Sequence, residues 1–269
     1  MSPVKRQKET KLKWILDQLP HGYLIDTRTL KHHNIDRKLA HKYIESGWLE
    51  PVVQGLYRRP DVSEHSGTSW QTIIRSLQHI MDYSSVVGGR TALEAQGFSH
   101  YLKLGSDPVV HLYGDRHPTW LKRLSSKTTY VLHGRGLFDG EPDEYSEVET
   151  SAGPILCSSR ERAVLEMLDE LPSAESFHIV DTIFEGLDSA RPTRLEVLLH
   201  ACRSVKVKRL FFVFADRHAL AWRKYIDREA FDLGSGDRAL VQGGKLHPIY
   251  RITVPADLLL TTDGNVQDA

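Results

Sequence analysis

At 269 residues, 40% hydrophobic and 26% charged, the chain has the length for one large domain or two smaller ones and the composition of a globular protein, which excludes disordered, collagenous and coiled-coil classes. Its longest apolar run, Leu210 to Ala215, is too short to span a bilayer, and its two distant cysteines, Cys157 and Cys202, exclude a disulfide framework or a thiolate zinc site and fit a reducing cytosol. The net charge of zero hides an asymmetry: residues 1–60 hold 12 Lys and Arg against 6 Asp and Glu, while residues 61–269 hold 23 against 29, so a basic head on a mildly acidic body is expected to bring only the head to a polyanion.

Lys5, Arg6 and Lys8 are followed by no apolar run, so no signal peptide is expected. The first helix is predicted from about Lys8 to Leu19, where Leu12, Ile15, Leu16 and Leu19 recur at helical spacing, and Pro20, His21 and Gly22 end it. Tyr23-Leu24-Ile25 suits a short strand. Asp26 or Thr27 is placed to cap a second helix over Arg28 to His33. Asn34 breaks that helix, Ile35 plugs the junction, and Asp36 caps a third helix reaching about Ser46. Two short helices with a three- or four-residue connection have helix-turn-helix spacing.

The third helix sorts its residues into two faces. Leu39, Tyr43 and Ile44 fall on one, with Trp48 just beyond the end; Arg37, Lys38, His41, Lys42 and Glu45 fall on the other. Gly47 follows at the position where a left-handed residue costs little. Two β-prone runs around Gln54-Gly55 then make a hairpin, with Arg58 and Arg59 on the returning strand and Pro51 on an edge. Helix, strand, helix, helix and hairpin in this order read as a winged helix-turn-helix, whose cationic helix fits a DNA major groove.

Asp61 to Gly67 is polar and turn-rich and reads as a linker. Thr68 to Met81 is predicted helical. Val86-Val87-Gly88-Gly89 leads into a helix from Thr91 to Gln96; a Gly pair there can cradle an anion or simply turn. Strands are predicted at Val109 to Tyr113, Thr128 to Leu132, Tyr145 to Thr150 and Ile155 to Cys157, with a helical turn over His117 to Leu124. Ser158 with Glu161 looks like a capping box opening a helix that buries Val164, Leu165, Leu168 and Leu171. Ser176 to Leu187 is a further helix, and Pro192 opens another. Val205 to Tyr225 is read as one long helix although Phe211-Phe212-Val213-Phe214 also suits a strand. A closing hairpin is expected within Leu233 to Val254, and residues 261–269 are expected to be disordered.

No metal site or cofactor is expected from the sequence. His32 and His33 diverge on a helix, and His111, His117 and His133 lack a spaced carboxylate partner. Gly244-Lys245 fails as a P-loop because Ala239 and Leu246 stand where the motif needs Gly and Ser or Thr. No nucleophile elbow occurs, so no catalytic residue is assigned and the protein is expected not to be an enzyme. An enzyme or an interaction protein that docks through the winged head remains the alternative.

Ordered motifs over residues 8–255 resemble the AbiE-type antitoxin family, the transcriptional-regulator half of type IV toxin–antitoxin systems. They are Gly22-Tyr23-Leu24, Tyr43 through Glu50, Gly55-Leu56-Tyr57-Arg58, Gly88 through Leu93, Ser159 through Ala163 and Asp232 through Gly236. The resemblance implies an α+β protein with a winged helix-turn-helix at residues 1–62 and a larger mixed α/β antitoxin domain at 67–260. It implies a cytoplasmic autorepressor that binds inverted repeats in its own promoter, and palindromic sites usually call for two protomers. It further implies that the body neutralises a co-encoded nucleotidyltransferase toxin without a stable complex. DNA contacts carry over onto Arg37, Lys38, His41, Lys42, Arg58 and Arg59.

Overall fold

The computed structural model describes residues 3–61, 68–98, 107–124 and 127–259. Residues 62–67 of the expected linker and the expected tail of 261–269 lie outside them. The fold is mixed α/β, with the helix-turn-helix at the amino end, and divides into two compact units. One comprises Met1–Val87, Gly105–Gly134 and Glu147–Leu156; the other comprises Gly88–Leu104, Arg135–Ser146 and Cys157–Ala269.

The first unit opens with α1 (Pro3–Gln18), β1 (Leu24–Asp26), α2 (Thr27–His32), α3 (Arg37–Glu45), β2 (Glu50–Val53) and β3 (Leu56–Arg58). The three strands form an antiparallel sheet in the order β1-β3-β2. Helical spacing delivers Ile15 and Leu19 of the first helix segment, Leu30, Ile35, Ala40 and Tyr43 to one buried cluster with Ile25 and Leu49. Trp48 does not join that cluster. Gly47 adopts φ 72°, Trp48 and Leu49 both donate to the Tyr43 carbonyl, and this tight reversal sends Leu49 inward while Trp48 stays 40% exposed.

The same unit continues with α4 (Trp70–Arg75), where the helix expected to reach Met81 changes pitch. Ser76–Ile80 form a π turn. Ser76 Oγ donates to the Thr72 carbonyl at 2.7 Å and accepts from the Leu24 amide at 3.0 Å, so a strand neighbour competes at the turn's first residue. Then come β4 (Val86–Val87), and after α5 (Gly89–Ala95) of the second unit, β5 (Val109–Tyr113), a 3-10 turn (Thr119–Arg123) and β6 (Thr129–His133). With β7 (Tyr145–Val148) and β8 (Ile155–Ser158) these make a five-stranded sheet in the order β6-β5-β4-β8-β7. The pair β5–β6 is parallel and β4–β5 antiparallel.

The second unit is mostly helical. Besides α5 it holds α6 (Arg160–Asp169), α7 (Phe177–Glu185), α8 (Pro192–Ala201) and α9 (Val205–Arg217). Glu161 through Leu168 of α6 are all buried, because α5, α8 and α9 pack around it. The cap falls one residue later than expected, and as a simple N-cap, since Arg162 and not Glu stands three residues after Ser159. Ser159 Oγ accepts from the Arg162 amide, whereas Ser158 donates to Glu166 Oε1 at 3.0 Å and Glu161 is held by Arg191. The run Val205 to Tyr225 is α-helical only to Arg217, with a 3-10 turn at Arg223–Tyr225. Asp181 binds both Arg217 and His218 just there, and Ala219 follows in the left-handed region at φ 47°. The Phe cluster that could have been a strand is the buried seam of α9, where Phe211 and Phe214 lie against Phe184.

The closing hairpin is shorter than expected. β9 (Lys245–Leu246) pairs only with β10 (Thr253–Val254), because His247 Nδ1 accepts the Ile249 and Tyr250 amides and Arg251 takes φ 50°. Gly244 belongs to this turn: a Cβ there would meet the Val254 carbonyl oxygen at 2.7 Å, so close backbone approach requires its glycine. Gly89 likewise serves the interior, since its amide donates to the buried Glu166 carboxylate at 2.9 Å. Among the described residues no helix is long and apolar enough to cross a membrane.

Candidate nucleic-acid interface

Two acidic caps set the helix-turn-helix. Asp26 Oδ1 accepts the Thr29 amide at 2.8 Å to start α2, and Asp36 Oδ1 accepts the Leu39 amide at 2.7 Å to start α3. Between them Asn34 takes φ 58°, a conformation that Asn tolerates better than most residues, and Ile35 is buried. Trp14 stacks on His33 with centroids 3.6 Å apart, fixing α1 against the end of α2. Burial, followed by the neighbouring His32, lowers the pKa of His33.

With Ala40 and Tyr43 inward, the opposite face of α3 is open. Arg37, Lys38, His41 and Lys42 are all exposed, as are Glu45 and Asp36. His41 lies 3.3 Å from Glu45 one turn later, an exposed pair of small energetic weight. The helix thus offers a guanidinium, two ammonium groups and an imidazole along one ridge.

The two arginines of the wing are placed differently. Arg58 is half-buried, pairs with Glu50 on the facing strand, and donates to Thr68 Oγ1 at 3.1 Å. Arg59 is half-buried and donates to the carbonyls of Leu16 and Leu19, at 2.8 and 2.7 Å, at the end of α1. A cation at carbonyls left unpaired by a helix end is favourable through both hydrogen bonding and the helix dipole. Arg59→Met is therefore expected to lower stability by roughly 1–3 kcal/mol, read as a lower urea midpoint. An unchanged midpoint would mean that these bonds carry no weight.

The head is also fastened to the rest of its unit. The second oxygen of Asp26 accepts from Tyr83 Oη at 2.7 Å, and burial together with this bond pushes the Tyr83 phenol up to about 12. The Arg28 guanidinium lies 4.0 Å over the Tyr83 ring and donates to the Met81 carbonyl. Tyr23 Oη donates to the Ala152 carbonyl at 2.6 Å, and Arg123 reaches the wing tip, donating to the Gln54 carbonyl at 3.2 Å. Sequence reasoning assigned nothing to Arg28, Tyr83 or Arg123. Their partners lie 53 to 69 positions away, and only the local basic pair Lys122-Arg123 gave any signal.

The fold also gathers three histidines that spacing left apart. His111 Nδ1 and His133 Nε2 are 3.0 Å apart on neighbouring parallel strands, and His117 Nε2 donates to the His133 carbonyl at 2.9 Å.

Comparison with known proteins points the same way as the winged head. A family model described as "Transcriptional regulator, AbiEi antitoxin, Type IV TA system" matches residues 107–255, and one described as the AbiEi antitoxin N-terminal domain matches residues 8–104. No curated protein matches the sequence. The crystal structure of the RV2827C protein from Mycobacterium tuberculosis is similar with a TM-score of 0.57 and 14% identity, covering 92% of this chain and 90% of that one. At that identity the likeness is one of fold.

Proposed function

The chain belongs to the AbiEi antitoxin family, the transcriptional regulators of type IV toxin–antitoxin systems, and from this we propose that it represses its own operon by binding inverted repeats in the promoter through α3. The observation that carries the reading is the open cationic ridge of Arg37, Lys38, His41 and Lys42 on a helix whose other face is core. A helix of this diameter fits the major groove, where its first turns meet base edges and its flanking cations meet phosphates.

Arg37, Lys38 and Lys42 are the phosphate and guanine contacts in this proposal, and His41 a base contact. Arg58 and Arg59 flank the groove while holding the wing to Glu50 and to the end of α1. Residues 1–62 read the operator, and residues 67–260 counter a co-encoded nucleotidyltransferase toxin without forming a stable complex with it. Two protomers would occupy the two half-sites. The test is a gel shift of the full-length protein on its own upstream DNA at several salt concentrations. Specific retardation that weakens steeply with salt is expected; equal affinity for that DNA and a scrambled duplex would overturn the proposal.

A further inference from the structure

Within the first unit the wing and the elements beside it border a half-open cavity of about 680 Å³. That volume is within the range that small-molecule ligands occupy. The floor is Leu24 of β1 and Ile73 of α4, both almost fully buried. The Trp70 ring and Leu124 make it apolar and able to take a flat ring. Thr68, Ser69 and Thr128 add hydroxyls to the lining, and two cations reach it. Arg58 is already engaged by Glu50 and Thr68, whereas Lys127 is exposed and has no hydrogen-bond or ion-pair partner among the described residues. An apolar slot with one uncommitted cation at its margin selects a planar hydrophobic body carrying one negative charge.

The wall on the wing side is Pro51 and Val52 of β2. It is the compliant wall. β2 is an edge strand paired only with β3, its register shifts between Pro51 and Val53, and both Pro51 and Val52 are exposed. A ligand thicker than the empty slot displaces this strand before it displaces Leu24 or Ile73. We propose that this cavity binds a small aromatic carboxylate and that its occupancy moves the wing, changing the affinity of the head for DNA. The binding half stands independently of operator recognition; the coupling half rests on it. Coupling of this kind is reciprocal, so DNA must alter carboxylate affinity by the same factor.

The probe is 2-naphthoate, titrated calorimetrically into the full-length protein without DNA. One site per chain is expected, with affinity at least tenfold weaker in Lys127→Glu, while 2-naphthamide, which has the ring without the charge, binds both proteins alike. Absence of saturable binding, a stoichiometry other than one, or a Lys127→Glu titration matching the parent overturns the site. In a gel shift on the upstream DNA, saturating 2-naphthoate is expected to change the operator Kd at least threefold. Normal retardation with an unchanged Kd overturns the coupling alone. Absence of retardation under every condition removes operator recognition and the coupling with it, and leaves the calorimetric result to decide the site.

Discussion

Replacing Arg37, Lys38 and Lys42 together by alanine is expected to weaken operator binding by roughly 100- to 10,000-fold, the sum of about 3–6 kcal/mol over three contacts. The slope of log affinity against log salt should fall by about 0.9 for each of the three that meets a phosphate, up to about 2.7, through counterion release. The three side chains are exposed and lie outside the head's hydrophobic core cluster, so thermal stability should stay within about 0.5 kcal/mol of the parent. His41→Ala should leave the salt slope alone and change affinity for particular operator bases, since it is placed as a base contact and not as a phosphate contact. Fluorescence anisotropy at four salt concentrations measures both quantities. A triple variant that keeps the parent's slope would show that the ridge does not meet phosphate.

The largest effect on stability should come from Glu166→Ala in the second unit. Glu166 is fully buried and accepts from Arg162 Nε at 2.8 Å, the Gly89 amide at 2.9 Å and Ser158 Oγ at 3.0 Å. Arg162, itself buried, continues to Glu141 at 2.9 Å and to the Pro142 carbonyl at 3.1 Å. Burial raises the Glu166 pKa, and Arg162, the Gly89 amide and Ser158 oppose that rise. The carboxylate therefore joins α5, α6 and β8 at one point. Its removal leaves a guanidinium and two other donors without their acceptor, at a cost of about 3–5 kcal/mol. Calorimetry should show the melting temperature falling by roughly 10 °C. Glu166→Leu combined with Arg162→Met should recover more than half of the loss, because the desolvated charge goes with its partner. A single variant melting within about 2 °C of the parent would contradict this account of the network.

The head was legible in the sequence because its signals are local. Leu12, Ile15, Leu16 and Leu19 mark one face within two turns, and Asp26 and Asp36 stand where free helix amides need acceptors. Trp48, placed just beyond the end of the third helix, stays outside the core because a left-handed Gly47 breaks the helical phase before it. In the second unit, the helix over α9 could be recognised from its flanks, but its end could not. Ala219 carries no mark of a left-handed residue, and Asp181, which holds Arg217 and His218, belongs to another helix. Local pattern favoured Ser158, with Glu161 three residues on; the choice of cap was decided by Glu166, which occupies Ser158. The exposed ridge of α3 followed from 3.6-residue periodicity. The engagement of Arg59 with the Leu16 and Leu19 carbonyls did not, since 40 or more positions separate the partners.

Asp26 has two oxygens with separate duties, one starting α2 and one receiving Tyr83. Leu24 and Tyr23 beside it bond to Ser76 and Ala152. Grafting the winged head onto a foreign scaffold by cutting near residue 62 would therefore leave three severed anchors. A transplant that keeps its native pose must carry residues 68–83 along and supply an acceptor equivalent to the Ala152 carbonyl.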